Sequence, residues 1–179
     1  DDLTGRTVGI IGYGGIGQAT ARIAQAIGMR VLATRRSPGP AEHVDALFTP
    51  DRLHDVLAAS DYVVLCCPLT EATTDLIGAA EFAAMGPGTV LINVARGEVV
   101  VEEALIDSLT AGTIRGATLD VTREEPLPPD SPLWELPNIV ITPHQSGEGP
   151  RGQERLDALF LDNLRRYVCL LYTSDAADE

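Results

Sequence analysis

A strand-like run, a cluster of glycines and a helical run follow one another in the first 28 residues, and few folds accommodate that succession. Thr7–Ile11 (TVGII) is a short continuous apolar stretch, the pattern of a strand covered on both faces in a parallel sheet. Gly12-Tyr13-Gly14-Gly15-Ile16-Gly17 follows at once. Beyond it Ile16, Ala19, Ile23, Ala26 and Ile27 recur at helical spacing, which predicts an amphipathic helix closed at Gly28. Arg30–Thr34 (RVLAT) reads as strand again. The whole is a βαβ crossover.

The alternation continues down the chain. A helix over Asp51–Ala59 precedes the strand Tyr62–Cys66, and a helix over Ala79–Met85 precedes Val90–Asn93. A helix over Glu102–Ala111 precedes Gly116–Val121, and Ile139–Thr142 is the last strand. Six strands with helices between them imply an α/β fold, a doubly wound parallel sheet of the Rossmann-like kind. The Pro-rich stretch Pro126–Pro137 reads as a surface loop that Trp134 pins to the body. A last amphipathic helix, Gly152–Val168, gathers Leu156, Leu159, Phe160, Leu164 and Tyr167 on one face. Residues 1–168 thus read as one domain. The remaining stretch 169–179 breaks the pattern and resembles a translated sequencing adapter, so a non-native tail is expected there.

Composition narrows the function. With 13 basic against 26 acidic residues and a net charge of −13, a general nucleic-acid footprint is not expected. All the basic residues are Arg, which excludes a Schiff-base or phosphate-loop lysine. No apolar run is long enough to span a bilayer. Three cysteines, Cys66 and Cys67 adjacent, give neither a disulfide framework nor metal-ligand spacing, and fit a reducing, cytoplasmic setting. His43 and His54 stand isolated and read as solvated.

The glycine cluster is a G-x-G-x-x-G in the context that gives the motif meaning, between a strand and a helix. Gly12 permits the tight turn, Gly14 a close approach to a pyrophosphate, and Gly17 close packing of helix on strand. The pyrophosphate would rest on the free N–H groups of the helix N-terminus. After the second strand, an NAD-binding chain places a carboxylate for the ribose 2′-hydroxyl. Here Thr34-Arg35-Arg36-Ser37 stands there, and the next acidic residue is Glu42. Two guanidiniums suit a 2′-phosphate, so NADP(H) is expected over NAD(H), with NAD(H) still open.

Three polar residues follow strand ends, where this architecture binds ligands. They are Arg96 in Asn93–Gly97, Glu125 beside Glu124, and His144 in Thr142-Pro143-His144. An Arg can fork a carboxylate, a His can protonate a carbonyl near neutral pH, and a carboxylate can favour the charged imidazole. That set suits reduction of a small 2-oxo acid or oxidation of the 2-hydroxy acid. Spacing alone does not choose between Glu124 and Glu125.

These residues carry a resemblance. From about Leu3 to Val168 the chain resembles the cofactor-binding domain of the D-isomer-specific 2-hydroxyacid dehydrogenases, through the glycine cluster, Asn93–Gly97 (NVARG), Leu119–Pro128 (LDVTREEPLP) and Ile141–Gly147 (ITPHQSG). Thr34–Ser37 is most similar to the NADPH-preferring glyoxylate and hydroxypyruvate reductases. The resemblance implies that Arg96 binds substrate, Glu125 orients and charges the histidine, and His144 is the acid–base. It implies nicotinamide contact at Asp120, pyrophosphate contact through Gly15 and Ile16, and an adenosine wall at Cys67 and Pro68. Val94, Ala95, Arg96, His144 and Gly147 complete the implied cofactor set. Family members dimerise through this domain, and they wrap it in a substrate domain built from both chain ends. Helix Gly152–Val168 would return toward that domain, and these residues alone would bind cofactor without turnover. Departures are Thr122 in place of an aromatic, Gly149 in place of Thr, and Val101 in place of an N-capping Asp, a loss of about 1 kcal/mol. Transcriptional corepressors share the fold and the motifs, so a nucleotide-sensing interaction module is the alternative reading.

Overall fold

The apolar runs become strands of one sheet. A computed structural model describes residues 2–37, 39–149 and 151–169. Seven strands run β1 (Thr7–Ile11), β2 (Arg30–Thr34), β3 (Ala46–Phe48), β4 (Tyr62–Leu65), β5 (Val90–Asn93), β6 (Gly116–Leu119) and β7 (Ile139–Ile141). The helices are α1 (Gly15–Ala26), α2 (Leu53–Ala58), α3 (Ala79–Ala84), α4 (Glu102–Ala111) and α5 (Gly152–Val168). The sheet is ordered β3-β2-β1-β4-β5-β6-β7 and every pairing is parallel. The order reverses direction between β1 and β4, the switch point at which doubly wound sheets open a crevice.

Strand β1 is buried along its whole length because helices cover both of its faces. One apolar cluster joins Leu57, Leu65, Phe82, Leu91, Leu105 and Leu133 on one side, and a smaller one joins Val8, Ile10, Tyr13, Ala21, Ala24 and Val31 on the other. By contacts the chain divides into two units, one ending at Pro143 and the other beginning at His144. In the second unit α5 buries none of its residues, and Leu156, Leu159, Phe160, Leu164 and Tyr167 are exposed.

Four expectations are corrected. The sheet has a seventh strand, β3, a three-residue edge whose residues are only half-buried, too short and weakly patterned to read from sequence. Helix α1 forms where expected, but Ile16, Ala19, Ile23, Ala26 and Ile27 all lie exposed, while Gly17, Ala21 and Ala24 face the sheet. Small residues win that face because the helix must approach the sheet closely. A Cβ on Gly17 would collide with the Gly12 carbonyl oxygen and lie 3.2 Å from Ile10 Cγ2. Trp134 does not pin the proline-rich loop: it is 52% exposed and its indole N–H donates to the Pro128 carbonyl inside the loop, 2.9 Å away. Leu133, fully buried, is the anchor. Finally, His43 is half-buried and His54 exposed, and neither is isolated: they meet Gln25 and Glu81, each at 2.8 Å. Apart from Cys169, the adapter-like tail lies outside the described residues.

Candidate cofactor and active site

Because the strands are parallel, their carboxyl ends share one edge of the sheet, and the candidate residues of the first unit follow those ends. Gly12 leaves β1 with φ 102°, a region open to glycine. A Cβ there would lie 2.6 Å from the Cys67 nitrogen, so the turn is pressed against the backbone after β4. Gly14 precedes α1 in extended conformation. No side chain caps α1 and no carboxylate occupies its first turn, so among the described residues the N–H groups at Gly15, Ile16 and Gly17 have no capping anion.

The glycine turn is fastened to the end of β2. The Gly12 N–H donates to Thr34 Oγ1 at 3.3 Å and the Tyr13 N–H to the Thr34 carbonyl at 2.9 Å. Arg35 and Arg36 follow. Arg35 is half-buried, with Nε donating to the Ser37 carbonyl at 2.7 Å and its guanidinium 5.8 Å from the centre of the Tyr13 ring. Arg36 is exposed. Cys67, buried, and Pro68 follow β4.

Beyond β5, Asn93 shapes the turn that carries Val94, Ala95 and Arg96. Its side-chain oxygen accepts from the Ala95 N–H at 3.0 Å and its amide donates to the Arg96 carbonyl at 2.9 Å. Arg96 is exposed. Its neighbour Gly97 lies against the backbone of Thr122 and Arg123, where any Cβ would collide, so the turns bearing Arg96 and Glu125 touch. After β6, Asp120 is 4% exposed and its carboxylate accepts from the Thr142 hydroxyl at 2.6 Å. Glu125 Oε1 accepts from the Thr122 N–H at 3.1 Å, and the Thr122 hydroxyl donates to the Glu124 carbonyl at 2.7 Å. The Arg123 guanidinium pairs with Asp75, tying the same turn to the segment before α3.

His144 and Gly147 belong to the second unit, and both are exposed. His144 stands three residues past the end of β7 with φ 53°, uncommon for a residue with a side chain. Sequence reasoning assigned no part to Asn93, Thr142 or Tyr13. An Asn closing a strand ahead of small residues signals a side-chain-to-backbone turn. The Thr142 and Tyr13 contacts are made across the fold and have no local signal.

Residues 1–146 match the model of the D-isomer specific 2-hydroxyacid dehydrogenase, NAD binding domain. The chain belongs to this family. It is 44% identical over 165 residues to a glyoxylate reductase of Thermococcus gammatolerans, covering 91% of this chain and 48% of that one. It is 39% identical over 168 residues to a hydroxypyruvate reductase of Blautia hydrogenotrophica, covering 93% and 52%. Among solved structures, the NADPH-dependent glyoxylate/hydroxypyruvate reductase of Sinorhizobium meliloti, in complex with NADP and sulfate, superposes with a TM-score of 0.87 at 33% identity, covering 94% of this chain and 54% of that one. The chain therefore spans about half the length of the family members it matches. Among the described residues, no helix is long and apolar enough to cross a membrane.

Proposed function

We propose that this chain is the cofactor-binding part of an oxidoreductase that moves a hydride between NADP(H) and a small 2-oxo or 2-hydroxy acid of the glyoxylate or hydroxypyruvate kind. The observation that carries the reading is the pairing of two anion subsites: the uncapped N-terminus of α1 behind the Gly12 turn, and two arginines directly after β2. The residues fit a dinucleotide. Gly12 makes the turn, Gly14 leaves room for the pyrophosphate and Gly17 lets α1 pack closely, Gly15 and Ile16 offer N–H groups to the pyrophosphate, and Thr34, Arg35 and Arg36 would lie on the 2′ side. Cys67 and Pro68 would line the adenosine side. Val94, Ala95, Asp120 and Gly147 would lie along the nicotinamide side, with Asp120 facing the carboxamide.

Once bound, the nicotinamide supplies or takes up the hydride. Arg96 holds the substrate carboxylate as a two-pronged fork and polarises the carbonyl. His144 gives a proton to the carbonyl oxygen in reduction and, neutral, removes it in oxidation. Glu125 is, in this reading, the carboxylate that would orient the imidazole. Support for Glu125 over Glu124 comes from the Thr122 N–H, which holds the Glu125 carboxylate at the end of β6.

Turnover belongs to a chain of the relatives' length, with these residues binding cofactor alone. A cytoplasmic homodimer is the expected setting by family analogy. The test is a side-by-side titration of NADPH and NADH into the 179-residue chain, followed by a His144→Gln exchange in the relative-length enzyme. Tighter NADPH binding supports the reading, as does lost turnover with unchanged cofactor affinity in the variant. Tighter NADH binding, or full turnover without His144, removes it.

A further inference from the structure

Arg35 and Arg36 are adjacent, but the fold uses them differently. Arg35 is turned back onto its own loop, with Nε on the Ser37 carbonyl at 2.7 Å and Nη2 on the Pro40 carbonyl at 3.4 Å. A side chain at Gly39 would crowd that guanidinium, since a Cβ would lie 2.9 Å from Nη2. Its central carbon lies over the Tyr13 ring, 5.8 Å from the centroid and within cation–π range. Tyr13 is itself 4% exposed. Its N–H holds the Thr34 carbonyl and its hydroxyl donates to the Glu42 carbonyl, at the far side of the same loop. Arg36 is exposed, and no hydrogen bond or ion pair to a described residue engages it.

We propose that Tyr13 is a specificity-determining positioning residue: with Arg35 it braces residues 35–37 and 39–42 against the glycine turn and leaves Arg36 to meet the 2′-phosphate of NADP(H). This rests on the NADP(H) reading above. Tyr13 sits inside the glycine cluster, so the brace anchors the segment after β2 to the glycine turn. A loop ordered before binding loses less freedom when the phosphate arrives, which favours NADPH specifically. NADH offers Arg36 only a neutral 2′-hydroxyl in place of the charged phosphate, and so gains little from the loop being held. Tyr13 is too deeply buried to touch the phosphate, so any effect it has on cofactor choice must travel through Arg35 and the loop.

The experiment is calorimetric titration of NADPH and NADH into the 179-residue chain, for wild type, Tyr13→Leu, Tyr13→Phe and Arg36→Gln, with folding checked by circular dichroism. Wild type is expected to favour NADPH by about tenfold or more. Tyr13→Leu should lower that ratio by about fivefold while NADH affinity stays within about twofold. Tyr13→Phe keeps the ring but not the bond to Glu42, and should lower the ratio by about threefold. If Tyr13→Leu does not fold, the Phe variant decides. Arg36→Gln should bring the ratio near one. A ratio unchanged in the folded Tyr13 variants, equal loss of both cofactors, or retained preference in Arg36→Gln overturns the brace while the NADP(H) reading stands. A wild-type ratio near one, or in favour of NADH, removes both.

Discussion

Cys66 and Cys67 sit beside the glycine turn at the end of β4, a position that would suit a reactive thiol, and the physics there works against reactivity. Burial pushes the Cys66 thiol up to about 12, with the neighbouring Cys67 adding to the effect, and burial raises Cys67 as well. A thiol that stays protonated is a poor nucleophile. Alkylation of the folded chain at pH 7.5 should therefore modify only the exposed Cys169, and all three cysteines only after denaturation, as read by intact mass. Early labelling of Cys66 would contradict the burial seen here. Glu81 illustrates the opposite balance. Burial would raise its carboxyl, but hydrogen bonds from His54 and from the N–H of Gly78 at the start of α3 hold it below the usual range. A depressed carboxyl contributes stability above its unfolded value and loses it as pH falls through the folded one. Glu81→Gln should thus destabilise the fold at pH 7 by less than about 1 kcal/mol, because its partner His54 is exposed, and the difference in melting temperature from wild type should shrink as pH falls through the carboxylate range.

At the scale of elements, α1 shows what hydrophobic periodicity can and cannot say. Its spacing identifies a helix, because one apolar residue per turn has no other common explanation. The same spacing names the wrong inner face, because close packing on the sheet is decided by size and not by greasiness. Ala21 and Ala24 lie under the helix, and Ile23 is 58% exposed. Ile23→Gln should shift stability by less than about 0.5 kcal/mol, whereas Ala24→Leu should cost about 1–3 kcal/mol by overpacking, both from denaturant midpoints. The reverse ranking would restore the isoleucine face as the buried one. Helix α4 follows the sequence more closely: Val101 provides no side-chain cap, and Gly112 closes the other end at φ 70°. Strand β3 escaped notice because an edge strand of three residues needs its partner β2 to exist at all.

The first unit is built on a parallel sheet whose loops at one edge hold nearly every candidate residue of that unit. If the dinucleotide binds only the folded form, NADPH at a hundred times its Kd should stabilise the chain by about 2.7 kcal/mol. For a domain of this size that is a rise of roughly 5–10 °C in a thermal scan. No shift with either cofactor would remove the binding function itself. The order of elements other than β3, the glycine turn, and the positions of Arg96, Glu125 and His144 after strand ends were legible in the chain, because each follows from local covalent geometry or from a period of two or 3.6 residues. What only the tertiary structure decided is which neighbours those residues meet. Gly97 fits against Thr122 and Arg123, Thr142 donates to Asp120, and Tyr13 joins Arg35 to the Glu42 carbonyl. Such contacts join residues 22 to 29 positions apart, and their distances are set by how tightly the sheet and its helices pack, a quantity that no local pattern of residues contains.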